Sequence, residues 1–81
     1  MSVQLADGMI RLDGDCPVED AETLLALLQE HQSASVSLRH CTRLHLATAQ
    51  VLLAAGRPIA EPPAEPFLRD HLLPLLDRLR N

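Results

Sequence analysis

The stretch VSLRHCTRLHLATAQVLLAA, Val36 to Ala55, changes character halfway along. In its first half Val36 and Leu38 flank Ser37 and point to one face, the alternation of a strand. In its second half Leu46, Ala49, Gln50, Val51, Leu52, Leu53, Ala54 and Ala55 read as a helix, and Gly56 fits its C-cap. The turn between them, Arg43-Leu44-His45-Leu46-Ala47-Thr48, has no glycine-rich phosphate cradle and no Gly-x-Ser-x-Gly elbow. What that turn presents is therefore the central functional question.

Upstream, Val3-Gln4-Leu5-Ala6 and Met9-Ile10-Arg11-Leu12 flank Asp7-Gly8, a pair suited to the positive φ angles of a two-residue hairpin turn. That register sets Leu5 opposite Ile10, Val3 opposite Leu12 and Gln4 opposite Arg11, so turn chemistry and alternation agree. Asp13-Gly14-Asp15 is expected to break the second strand. Pro17 then suits the first position of a helix running from about Pro17 to His31, with Glu19, Asp20 and Glu22 at its positive end and Ala21, Leu24, Leu25 and Leu28 as its apolar stripe. Ser33-Ala34-Ser35 forms a polar loop, and the strand at Val36 should return parallel to the second strand.

Downstream, Arg57-Pro58-Ile59-Ala60 reads as a short edge strand, because proline is tolerated only at an edge. Residues 61–66 form a proline-rich connector, and residues 67–80 a C-terminal helix begun by Pro66. Pro74 predicts a kink or break between Asp70 and Leu73. In that helix Leu68, Leu72, Leu75 and Leu79 make a seam widened by Leu73 and Leu76. The seam predicts a homodimer, since a small domain seldom leaves a large apolar patch in water. The order of elements describes a small α/β domain with helices mainly on one face of a mixed sheet.

At 81 residues the chain supports one domain, 1–81, that buries about 60% of its unfolded surface, so partner binding would add to its stability. Apolar residues make up 47% of the chain but Phe67 is the only aromatic, so the core must be aliphatic and bases have no ring to stack on. The net charge of -4, with every basic residue an arginine, gives no footprint for nucleic acid. No apolar run approaches the ~20 residues that cross a bilayer, which excludes membrane insertion. Cys16 and Cys41 could form one disulfide, yet no basic start and apolar leader precede them, and a reduced cytoplasmic location is expected.

His40, Cys41, His45 and Cys16 are residue types that bind zinc, but no Cys-x-x-Cys pair occurs, and adjacent residues leaving a strand point apart. Neither a metal nor another cofactor is expected. A cysteine nucleophile would need a base, which His40 and His45 are poorly placed to supply, and no catalytic residue is assigned. Arg39, Arg43 and the start of the second helix would suit an anion. Solvated arginines and a capping Thr48 hydroxyl account for the same residues.

The Val36 to Ala55 stretch resembles the STAS domain, the module shared by anti-sigma-factor antagonists and sulfate-transporter tails. Val36-Ser37-Leu38 matches the family's strand, Leu44 the apolar position before its loop, His45-Leu46-Ala47-Thr48 the loop, and Ala49-Gln50-Val51-Leu52-Leu53 its Leu- and Ala-rich helix. The resemblance covers roughly Met9 to Ile59. His45 stands where the family has Asp, Ala47 where its phosphorylated Ser stands, and Thr48 where Gly is expected.

The resemblance implies a small STAS-like α/β domain with a mixed four-stranded sheet. It also implies a non-enzymatic adaptor of bacterial regulation that docks a protein partner through the loop 43–48 and the second helix. The partner-binding residues would be Arg43, His45, Leu46, Ala47, Thr48 and Gln50, and the partner an anti-sigma kinase, a histidine-kinase-like protein or a transporter subunit. A methyl group cannot accept phosphate, so the family's switch is absent at Ala47. Two alternatives are a phosphorylation-regulated antagonist that uses Thr48 as phosphoacceptor and a lipid-transport accessory subunit.

Overall fold

Asp7 and Gly8 both adopt positive φ, 53° and 77°, in the computed structural model of the chain, which describes residues 2–72 together with 74 and 75. The turn they make joins β1 (Val3–Ala6) to β2 (Met9–Leu12) with Val3 opposite Leu12, Gln4 opposite Arg11 and Leu5 opposite Ile10, the register expected from the sequence. Val3, Ile10 and Leu12 are buried, while Leu5, next to the turn, remains exposed.

The chain then departs from the expected reading. Asp13-Gly14-Asp15 does not simply end the second strand: Gly14, at φ 68°, swings the backbone into a further strand, β3 (Gly14–Cys16). This strand leaves the main sheet and pairs in parallel with β5 (Cys41–Leu44). A three-residue strand at a glycine shows no alternation long enough to read.

Helix α1 (Asp20–Glu30) starts three residues later than Pro17, because the Pro17 and Val18 carbonyls accept the Asp20 and Ala21 N–H groups in tight turns first. Its stripe is also narrower than expected. Leu24 and Leu28 are buried, but Leu25, one residue and about 100° further round, is exposed. Strand β4 (Ser35–Ser37) follows, parallel to β2 as expected.

Helix α2 (Leu46–Ala55) ends where Gly56 takes the left-handed conformation at φ 63° and donates its N–H to Leu52. The edge strand β6 (Ile59–Glu61) then pairs in parallel with β4. It begins two residues beyond Arg57, and Pro58 precedes it.

The main sheet thus has the order β1-β2-β4-β6, antiparallel at its first pair and parallel at the other two. The protein is a small mixed α/β domain, as expected. Val3, Ile10, Leu12, Val36 and Leu38 from the sheet region meet Leu24 and Leu28 of α1 and Leu52 of α2 in one aliphatic core. Burying each such leucine contributes about 1.5–3 kcal/mol.

Arg57 closes one end of this core. Its guanidinium donates to the carbonyls of Leu28 at 2.6 Å, His31 at 2.9 Å and Ala34 at 3.1 Å. These carbonyls lie in the last turn of α1, at its C-cap and just past it, an end of a helix that favours a cation.

Past the connector, Pro66 and Phe67 open a helical turn that widens into a π-helical segment, Leu68–Leu72. Pro74 cannot donate to a carbonyl one turn back, so the interruption expected near Asp70 takes this form. The rest of the expected 67–80 helix, with Leu73, Leu76 and Leu79, lies outside the described residues.

Candidate functional site: the crest of the second helix

The segment Arg43 to Thr48 is not a loop. Arg43 and Leu44 complete β5, Leu46, Ala47 and Thr48 form the first turn of α2, and His45 alone lies between. His45 is held twice: its N–H donates to the Cys16 carbonyl at 3.0 Å, and its Nδ1 accepts the Ala47 N–H at 3.0 Å. Nδ1 must be unprotonated to do this, and His45 thereby serves as the helix N-cap.

From that cap α2 projects a definite face. Thr48, Ala49 and Leu52 turn inward, whereas Leu46, Gln50 and Ala54, each one turn apart, are exposed. Leu46 is 69% exposed. No charged residue occurs anywhere in α2, so its outer ridge is leucine, glutamine and alanine.

Two clefts flank this crest. On one side an open groove of about 690 Å³ runs between α1 and α2, where Ala47, Gln50, Val51 and Ala54 face Leu25 and Gln29. On the other a shallow apolar cleft of about 300 Å³ is lined by Leu44, Leu46 and Ala49 across from Phe67, Leu72 and Leu75. Phe67 is 66% exposed and its ring lies 4.8 Å from that of His71. Glu65 fixes the position of this aromatic, because its two carboxylate oxygens accept the N–H groups of Phe67 at 3.0 Å and Leu68 at 2.9 Å.

Leu46, Gln50 and Ala47 therefore come together beside the clefts, and His45 and Arg43 are exposed next to them. Thr48 does not join them. Its side chain is fully buried, and its hydroxyl donates to the Pro17 carbonyl at 3.2 Å. Thr48 is thus placed in the core and not on the outer ridge: one residue of displacement along the helix turns it about 100° inward.

Arg39 lies elsewhere, paired with Glu61 at 3.8 Å in a polar depression with Arg11 and His40. It does not frame the start of α2 together with Arg43. The sequence reading missed Phe67 as a surface residue and assigned Leu25 to the core. A lone aromatic directly after a helix-starting proline was the available signal for the first.

Cys16 and Cys41, the ends of β3 and β5, are buried with their sulfurs 3.9 Å apart. The hydrogen bond with Cys41, then burial and the nearby Asp20 and Asp15 carboxylates, push the Cys16 thiol well above its ordinary range. Cys41 is lowered as the acceptor of that hydrogen bond, against the effect of its own burial. Among the described residues no three His, Cys, Asp or Glu side chains are grouped to hold a metal ion, and no helix is long and apolar enough to cross a membrane. No protein-family model, curated protein or solved structure matches the chain.

Proposed function

We propose that the chain is a non-enzymatic, cytoplasmic adaptor of the STAS type that binds another protein through the crest of α2. The observation that carries this reading is the uncharged ridge Leu46, Gln50 and Ala54, bordered by a cleft in which Phe67 is exposed opposite Leu46. Large apolar side chains set in water next to a concave apolar surface mark a binding site for a protein. The order of the fold also supports the family reading, since a hairpin is followed by two parallel strands, each reached through a helix. The partner offers apolar side chains to both clefts. A histidine-kinase-like protein, an anti-sigma kinase or a transporter subunit is the class that the STAS resemblance implies.

The test places a photo-crosslinking residue at Gln50 in the native host and identifies the adduct by mass spectrometry. Calorimetric titration of the purified partner follows, with Leu46→Asp compared to the unaltered chain. The expected result is one heterologous protein, with binding weakened by about 2 kcal/mol, roughly 30-fold, in the variant. Because Leu46 is outside the core, the melting temperature of Leu46→Asp should stay close to that of the parent. Adducts confined to a second copy of this chain would assign the crest to a homodimer instead, and unchanged binding by Leu46→Asp would remove it from the interface.

A further inference from the structure

We propose that Cys16 and Cys41 are a built site for an intramolecular disulfide, which closes under oxidative load and pins the β3–β5 ribbon beneath the start of α2. The two sulfurs are 3.9 Å apart, and bringing them to the ~2.05 Å of a disulfide needs an approach of about 1.9 Å, shared between the two side chains and the short strands that carry them. Cys16 and Cys41 end and begin neighbouring parallel strands, with Gly14 opposite Cys41 and Cys16 opposite Leu44, so they are diagonal neighbours whose side chains meet across the ribbon. Both side chains are buried, which keeps each from meeting a cysteine of a second chain.

The site is independent of the docking crest but lies directly beneath it, since the Cys16 carbonyl accepts the N–H of His45, the cap of α2. Closing the bond would enclose α1 and β4 in one covalent loop, because the cysteines are 25 residues apart. A cytoplasmic glutathione pool keeps such a pair as thiols at rest.

The oxidant is a small-molecule disulfide of the glutathione class. The Cys41 thiolate attacks one of its sulfurs and expels the first thiolate, leaving a mixed disulfide on Cys41. The Cys16 sulfur, having lost its proton, then attacks the Cys41 sulfur and expels the second. Two protein thiols and one small disulfide become one protein disulfide and two small thiols, the two protons passing to the leaving thiolates. The same steps balance with the two cysteines exchanged, since either sulfur can donate to the other. The ribbon pairs along a single edge of each strand, so brief local opening gives the oxidant access.

The test equilibrates the full chain in buffers of graded oxidised to reduced glutathione, with and without denaturing urea, and counts free thiols and intact mass after acid quenching. The expected result is a monomer lighter by two hydrogens, whose effective thiol concentration in the folded state exceeds that in the unfolded state on the order of 100-fold. Its melting temperature should rise on the order of 10 °C and return on reduction. Cys16→Ala and Cys41→Ala should each show no such rise. A folded-to-unfolded ratio of one or less, or oxidation that yields only glutathione adducts or linked dimers, would overturn the proposal.

Discussion

The Thr48 hydroxyl donates to the Pro17 carbonyl at 3.2 Å, tying the first turn of α2 to the residue that leads into α1. The two positions are 31 residues apart in sequence, and the bond satisfies the only hydroxyl in α2, which faces inward. Incubation of the folded chain with serine/threonine kinases should therefore leave Thr48 unmodified in peptide mass mapping, whatever happens at the exposed Ser33 and Thr42. Thr48→Val should cost about 1 kcal/mol, the value of one neutral hydrogen bond, and Thr48→Glu several times that for a buried charge. A stoichiometric phosphate on Thr48 would show that the helix opens readily.

Arg57 is the costliest single polar side chain to remove. Arg57→Ala should lower stability by about 2–3 kcal/mol in chemical denaturation, because three carbonyls at and just beyond the end of α1 lose a charged donor. Arg57→Lys should recover only part of this, since a single ammonium cannot span three acceptors as the planar fork does.

Glu65 controls presentation rather than folding. Glu65→Ala should cost about 1 kcal/mol locally and speed hydrogen exchange at the Phe67 and Leu68 amides, whose acceptors it removes. Partner affinity should fall with it, although Glu65 itself need not touch the partner.

Alkali should unfold the protein through its thiols. The chain has neither lysine nor tyrosine, so the cysteines are the side chains that titrate between about pH 8 and 11. Folded Cys16 holds its proton above the ordinary value of 9.0, whereas unfolded Cys16 releases it there. The unfolded state thus binds fewer protons above pH 9.0, and stability present below that pH declines as pH rises past it. The lowered Cys41 opposes this at the first ionisation, but burial and the neighbouring charge disfavour a second thiolate beside it, whereas both thiols ionise in the unfolded chain. Denaturation midpoints from pH 8 to 10.5 should fall in the parent and remain flatter in Cys16→Ala/Cys41→Ala.

Asp7-Gly8 with its flanking alternation, the parallel return at Val36, the stop at Gly56 and the edge strand after Pro58 were legible because each is specified within a few residues. A turn that needs positive φ, a helix that needs a C-cap and a proline that lacks an N–H leave marks in the chain itself.

The ribbon of β3 and β5, the meeting of Cys16 with Cys41, and the inward turn of Thr48 were decided by tertiary structure alone. Neither strand has a hairpin turn or an apolar alternation to mark it, and each exists only because the other supplies its hydrogen-bond partners from 25 or more residues away. Leu25 and Phe67 follow the same logic: an apolar side chain is marked by the sequence, but whether it is core or surface depends on which elements cover it. Local chemistry determined where this chain turns, caps and stops. Packing between distant segments determined which of its leucines, thiols and hydroxyls face water.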